Sequence, residues 1–150
     1  MRKYVLDTSL YVYATRSDEW SRQLQAFYQA FAPSVHLHSV VAGELLAGAT
    51  SPELERRTQR HLVAPFEATG RLVTPGHGAW KRAGALVARL VREKRLSPNG
   101  IRRSFLNDCL IAASARDHGL VVVTDNLRDF ELIRTVEPVE VVPPWPDPRA

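Results

Sequence analysis

The stretch Gly119-Leu120-Val121-Val122-Val123-Thr124 limits the fold more than any other part of the chain. Its four consecutive apolar residues do not alternate with polar ones, so a strand here must be buried on both faces. Gly119 stands where a preceding helix needs a left-handed residue to stop. A helix that runs into a doubly buried strand belongs to a parallel sheet with helices on both sides. The rest of the chain repeats this alternation. Strands are expected at 2–6, 35–39, 71–74, 120–124 and 139–142. Helices are expected at 18–32, 40–49, from Pro52 towards Pro65, at 78–95, from the Pro98-Asn99-Gly100 turn to about 118, and at 127–133. In the helix at 78–95, Trp80, Ala83, Leu86, Val87 and Leu90 share one face, which reads as the core side. The fold class is α/β, a three-layer arrangement.

At 150 residues the chain fits one domain able to bury its own core. Residues 1–142 are assigned to it. Residues 143–150, beginning Pro143-Pro144-Trp145-Pro146-Asp147-Pro148, form a tail that cannot extend the sheet. The tail reads as a loose end, with docking of Trp145 onto the body the less favoured option. One cysteine, Cys109, allows no internal disulfide and agrees with a reducing cytosol. No signal peptide precedes Tyr4-Val5-Leu6, and no apolar run approaches the roughly 18 residues that cross a bilayer. A cytoplasmic protein without a membrane partner is expected.

Residues 81–103 hold eight Lys/Arg against Glu93 alone, a local charge of +7 in a chain whose net charge is +4. Such a stretch is either a footprint for a polyanion or a solvated helix face. Arg82 and Arg89 are seven apart and share a helix face, and Arg102 and Arg103 lead towards Asp108. These four are the candidates for gripping a phosphate backbone.

Three acids are less easily explained. Asp7 directly follows the strand Tyr4-Val5-Leu6, at the strand end where open α/β sheets bind ligands. Glu44 has Val40, Val41 and Gly48 as helical neighbours, and Asp108 has Phe105, Cys109 and Ala112 around it. Each acid alone reads better as a cap or a dipole partner. Three inward carboxylates from separate elements repel one another unless a cation neutralises them. With no His or Cys in the group, an all-oxygen site selects a hard ion, Mg²⁺ or Mn²⁺.

VLDTS at 5–9, the Glu of SVVAGELLAG at 39–48, the Asp of FLNDCLIAASA at 105–115 and VVVTDNLRDF at 121–130 resemble the PIN domain. The resemblance is closest to the VapC-type ribonuclease toxins of bacterial toxin–antitoxin pairs, and it runs through essentially the whole chain. It implies a parallel sheet of three to five strands and a Mg²⁺-dependent endoribonuclease acting on RNA, with Mn²⁺ as a substitute ion. It also implies a homodimer, and a small antitoxin whose tail occupies the active-site groove. Carried over by motif, Asp7, Glu44 and Asp108 are the acidic core and the metal ligands. The last motif places Thr124 and Asn126 in supporting positions and Asp129 as the fourth acid, with Asp125 as the alternative. Thr8 and Ser9 read as helix caps or as holders of metal-bound water, capping being preferred.

His36 and His38 share a strand face but lack a third soft ligand, and read as structural. Cys109 reads as a small core residue. Other readings of the chain are a housekeeping RNA-processing nuclease without an antitoxin and a non-catalytic binding module. Aspartyl phosphotransfer is disfavoured because Ser9 stands where the haloacid-dehalogenase pattern needs a second Asp.

Overall fold

The strands are β1 (Lys3–Leu6), β2 (Val35–His38), β3 (Leu72–Val73), β4 (Leu120–Val123) and β5 (Val141–Val142). The computed structural model, which describes residues 2–146, joins them into one parallel sheet in the order β3-β2-β1-β4-β5. Asp147 and Pro148 of the tail lie outside the described residues. Eight α-helices are described: α1 (Thr8–Arg16), α2 (Asp18–Phe31), α3 (Ser39–Gly48), α4 (Pro52–Thr58), α5 (Ala64–Ala68), α6 (His77–Arg92), α7 (Arg103–His118) and α8 (Leu127–Arg134). Among the described residues no helix is long and apolar enough to cross a membrane.

Strand β1 is central, pairing with β2 through Tyr4↔Val35 and with β4 through Leu6↔Val123. The sheet order reverses between β1 and β4, and that switch point is where a crevice opens beyond the strand ends. All four residues of β4 are buried, as its uninterrupted apolar run requires. Gly119 has φ 66° and ψ 36°, the left-handed geometry that ends α7 and releases the chain into β4. Every residue from Cys109 to Ala115 is buried. A helix without a solvent side must be covered all round, and α7 packs against β4, α6 and α8. Its alanines let these neighbours approach closely. Helix α2 covers β1 through Tyr4, whose ring meets those of Phe27 and Phe31 at 5.6 and 5.0 Å.

Four expectations need correction. Helix α1 was foreseen only through caps at Thr8 and Ser9 and given no range, and Thr8-Ser9-Leu10-Tyr11-Val12-Tyr13 is rich in β-branched and aromatic residues that favour strands. Burial of Leu10 and Tyr11 and a cap from Asp7 override that propensity. The helix from Pro52 does not end at Pro65. A π-helical turn over Gln59–Val63 widens the spiral, and Pro65 then falls in the first turn of α5, where its missing N–H costs little. Trp80 is not on the core side of α6 but 52% exposed. The tail is not loose as far as Pro146. Trp145 packs on Trp20 and Phe27, with ring centroids at 5.8 and 5.6 Å, and its indole N–H donates to Gln23 at 2.9 Å.

Aromatic pairs of this kind contribute roughly 0.5–1.5 kcal/mol each beyond area burial. Trp145→Ala should therefore lower unfolding free energy by about 1–2 kcal/mol in urea denaturation. An unchanged midpoint would return the tail to a loose end.

Candidate active site

Asp7 sits where β1 gives way to α1. Its backbone N–H continues the ladder by donating to the Val123 carbonyl at 3.0 Å. Its side chain then turns back as the N-cap, with one oxygen accepting from the Ser9 N–H at 2.8 Å and from the Ser9 hydroxyl. The other accepts from the Thr124 hydroxyl across the β1–β4 seam. Asp7 is only 3% exposed. Burial raises its pKa, and the hydrogen bonds from Ser9 and Thr124 oppose that rise. The capping role and inward burial, read as alternatives from the sequence, coexist here.

Glu44 lies on α3 and accepts a hydrogen bond from the Thr8 hydroxyl at 2.9 Å. Thr8 is thus not a cap; it is the first residue of α1 and holds an acid. Asp108 lies in the second turn of α7, and the Asn126 amide donates to it at 3.2 Å and to Asp129 at 3.0 Å. One neutral amide therefore bridges two carboxylates. Asp125 is exposed. Burial, and then the charges of Asp7, Asp129 and Glu44, push the Asp108 carboxyl up to about 8. Asp108 thus feels each of the other three acids.

None of Asp7, Glu44, Asp108 and Asp129 is in an ion pair among the described residues. Glu137 provides the contrast. It is 4% exposed but lies 3.2 Å from Arg82 and 3.5 Å from Arg116. A buried acid outside the group is neutralised by arginines, whereas the grouped acids have only neutral donors. As the side chains stand, no three of His, Cys, Asp and Glu among the described residues converge to hold an ion. The donor set, all carboxylate oxygen and short of positive charge, nevertheless suits a hard divalent cation. His38 is excluded from it: buried and with its pKa lowered to about 4 by desolvation, it caps α3 by accepting from the Val40 N–H at 3.0 Å. Cys109 is a core residue whose thiol burial pushes up to about 12.

The basic candidates divide. Arg82 is committed to Asp117 at 2.7 Å, Glu137 and the Ala113 carbonyl at 3.1 Å, so it is a structural clamp and not a free phosphate contact. Asp117 lies nine residues beyond Asp108 on α7, about 13 Å along the axis. Arg89 pairs with Glu93 on its own helix at 3.1 Å. Arg103 lines a cavity of about 530 Å³ with Glu44. Arg102 lines another, of about 570 Å³, with Asp129, Arg95 and Arg128. Arg128 was not singled out in the sequence, although it is the neighbour of Asp129.

A PIN-domain family model matches residues 4–135. The chain belongs to the PIN-domain family. This PIN domain is similar to Ribonuclease VapC2 of Haemophilus influenzae, at 28% identity over 137 residues that cover 89% of this chain and 93% of that protein. Its fold matches a chain in the crystal structure of DNA-bound VapBC from Salmonella typhimurium, with a TM-score of 0.70, 22% identity and coverage of 95% and 98% of the two chains. It also matches FitAcB from Neisseria gonorrhoeae, with a TM-score of 0.67, 18% identity and coverage of 97% and 98%. All four acids lie inside the span matched by the PIN-domain model.

The raised pKa of Asp108 has a consequence for stability. In the unfolded chain the carboxyl titrates near 3.8, and in the folded metal-free protein near 8. Between these values the folded state binds the extra proton, so stability falls as pH rises through the window. Asp108→Asn should flatten that slope and raise the melting temperature of chelator-treated protein at pH 8. A variant that melts lower than wild type at pH 8 would make Asp108 a structural carboxylate.

Proposed function

We propose that the chain is an endoribonuclease that hydrolyses RNA phosphodiester bonds with a divalent metal ion, Mg²⁺ or in its place Mn²⁺. The observation that carries this reading is the group of acids whose charges bear on Asp108, none of them paired with a cationic side chain among the described residues, whereas the buried Glu137 has two arginines. Family membership and the names of similar proteins support the same reaction. Asp7, Asp108 and Glu44 would hold the metal, which would supply polarisation of the phosphoryl oxygen and activation of an attacking water. The hydrolysis adds the water oxygen to phosphorus, breaks one P–O ester bond and leaves a proton on the departing oxygen. Thr8 keeps Glu44 oriented towards the crevice, and Asn126 fixes Asp108 relative to Asp129, the fourth acid. Arg102, which shares a cavity with Asp129, and Arg103, which shares one with Glu44, offset the repulsion that bare acids exert on a phosphate.

The chain further acts as the toxin of a VapBC-type pair, bound by a small antitoxin, and forms a homodimer. Similarity to a protein named Ribonuclease VapC2 and to chains from VapBC structures supports the pairing. The homodimer rests on the motif resemblance. The aromatic residues of α2 do not argue for it, since Trp20, Phe27 and Phe31 pack within the chain.

Purified protein should cut single-stranded RNA with Mg²⁺ or Mn²⁺ and stop on chelation. Asp7→Asn and Asp108→Asn should each lower the rate by roughly 100-fold or more, beyond what loss of a supporting group costs. Asp129→Asn should cost more than Asp125→Asn. Chelator-resistant cleavage that survives both core substitutions would sink the metal mechanism.

A further inference from the structure

Trp80 is unlike the other two tryptophans. Trp20 and Trp145 lie against each other at 5.8 Å between ring centroids. Trp80 is 52% exposed, and among the described residues its indole makes no ring contact or hydrogen bond. It lines the cavity of about 530 Å³ that also contains Glu44, Arg103, Ser104 and Asn107. The cavity is thus continuous with the acidic group through Glu44. The side chains of Arg103, Ser104 and Asn107 likewise have no hydrogen-bond or ion-pair partner among the described residues. An aromatic plane, an amide, a hydroxyl and a guanidinium stand together beside the carboxylates with their recognition groups unspent.

We propose that this cavity receives the base of a nucleotide next to the scissile phosphate, with Trp80 as its stacking platform. The inference rests on the ribonuclease reading and adds to it a site that selects where the strand is held. A nucleobase has a π-face for the indole and a polar edge for the Asn107 amide, which both donates and accepts. The attached phosphate meets Arg103. An apolar anchor from a protein partner would cover the same indole but leave Asn107, Ser104 and Arg103 desolvated and unpaired, which costs binding energy. The composition of the cavity favours the nucleotide.

The test compares wild type, Trp80→Phe and Trp80→Ala for binding and cleavage of a short single-stranded RNA, and repeats it with single abasic positions around the cut. Trp80→Ala should weaken RNA affinity by roughly 5- to 150-fold, the range for loss of one stacked base. Trp80→Phe should keep most of it. The loss should appear in KM rather than kcat, and one abasic position should reproduce it without adding to it. Trp80 is half in water, so the melting temperature should hold. RNA bound and cut equally well by wild type and Trp80→Ala would overturn the platform while leaving the nuclease intact. RNA neither bound nor cut by wild type would overturn both. Loss of binding to a co-expressed protein partner, with RNA affinity unchanged, would reassign the cavity to that partner.

Discussion

A carboxylate withdrawn from water at the end of the central strand is the constraint around which this structure is arranged. Asp7 is nearly inaccessible, yet it is held by hydroxyls and a backbone N–H and not by a cation. The Thr124 hydroxyl reaches it from the neighbouring strand, so the acid ties the β1–β4 seam at the point where the sheet order reverses. Asp108 and Asp129 add to the cost. Bridged by one amide nitrogen, their oxygens stand no more than about 6 Å apart, where two unit charges at an effective dielectric of about 20 repel by roughly 3 kcal/mol. A scaffold that tolerates this needs a rigid surround. The doubly buried β4 and the fully covered middle of α7 supply it.

Cations are sorted by the same logic. Arg71 donates to the carbonyls of Ala32 and Val35 and lies 4.8 Å from the Phe66 ring centroid, so it closes the start of β2. Arg82 and Arg116 neutralise Glu137 and bind the far end of α7 to the segment before β5. These arginines stabilise by cancelling charge where no chemistry is proposed. Arg102 and Arg103, by contrast, flank the start of α7 with no ion-pair partner among the described residues and open onto two cavities that contain site acids. Local density of basic residues was therefore a poor guide. What separates the two groups is whether the folded chain brings a carboxylate to the guanidinium, and pairs such as Arg82 with Glu137 are 55 residues apart in sequence.

The parallel sheet was legible because β4 could be buried only between helices, and Gly119 marked the turn into it. The acids were legible because apolar neighbours at helical spacing leave Glu44 and Asp108 little choice of direction. The extent of helix α1 was not, since its β-branched residues argue locally for a strand and only a cap and burial reverse them. Trp80 was misplaced for a related reason. Helical periodicity says which residues share a face but not how far that face is covered, and the stripe on α6 runs out of partners at its first turn. Trp145 was read from its prolines, which exclude a strand but do not prevent an aromatic side chain from packing against α2.

The last motif lies just beyond β4, at the turn into α8: Thr124 reaches Asp7, Asp125 sits at a bend and is exposed, and the Asn126 amide turns back to the acids. An acid at that position would have added a fifth charge to the group. The amide instead donates to two carboxylates at once. The same pattern holds for each acid: Thr8 serves Glu44, Ser9 and Thr124 serve Asp7, and Asn126 serves Asp108 and Asp129. Neutral donors satisfy oxygen lone pairs without cancelling charge. They fix the acids in place and leave their negative potential unspent, as the proposed metal site requires. Where the chain uses arginine instead, as at Glu137, the carboxylate is equally well bonded and its potential is spent.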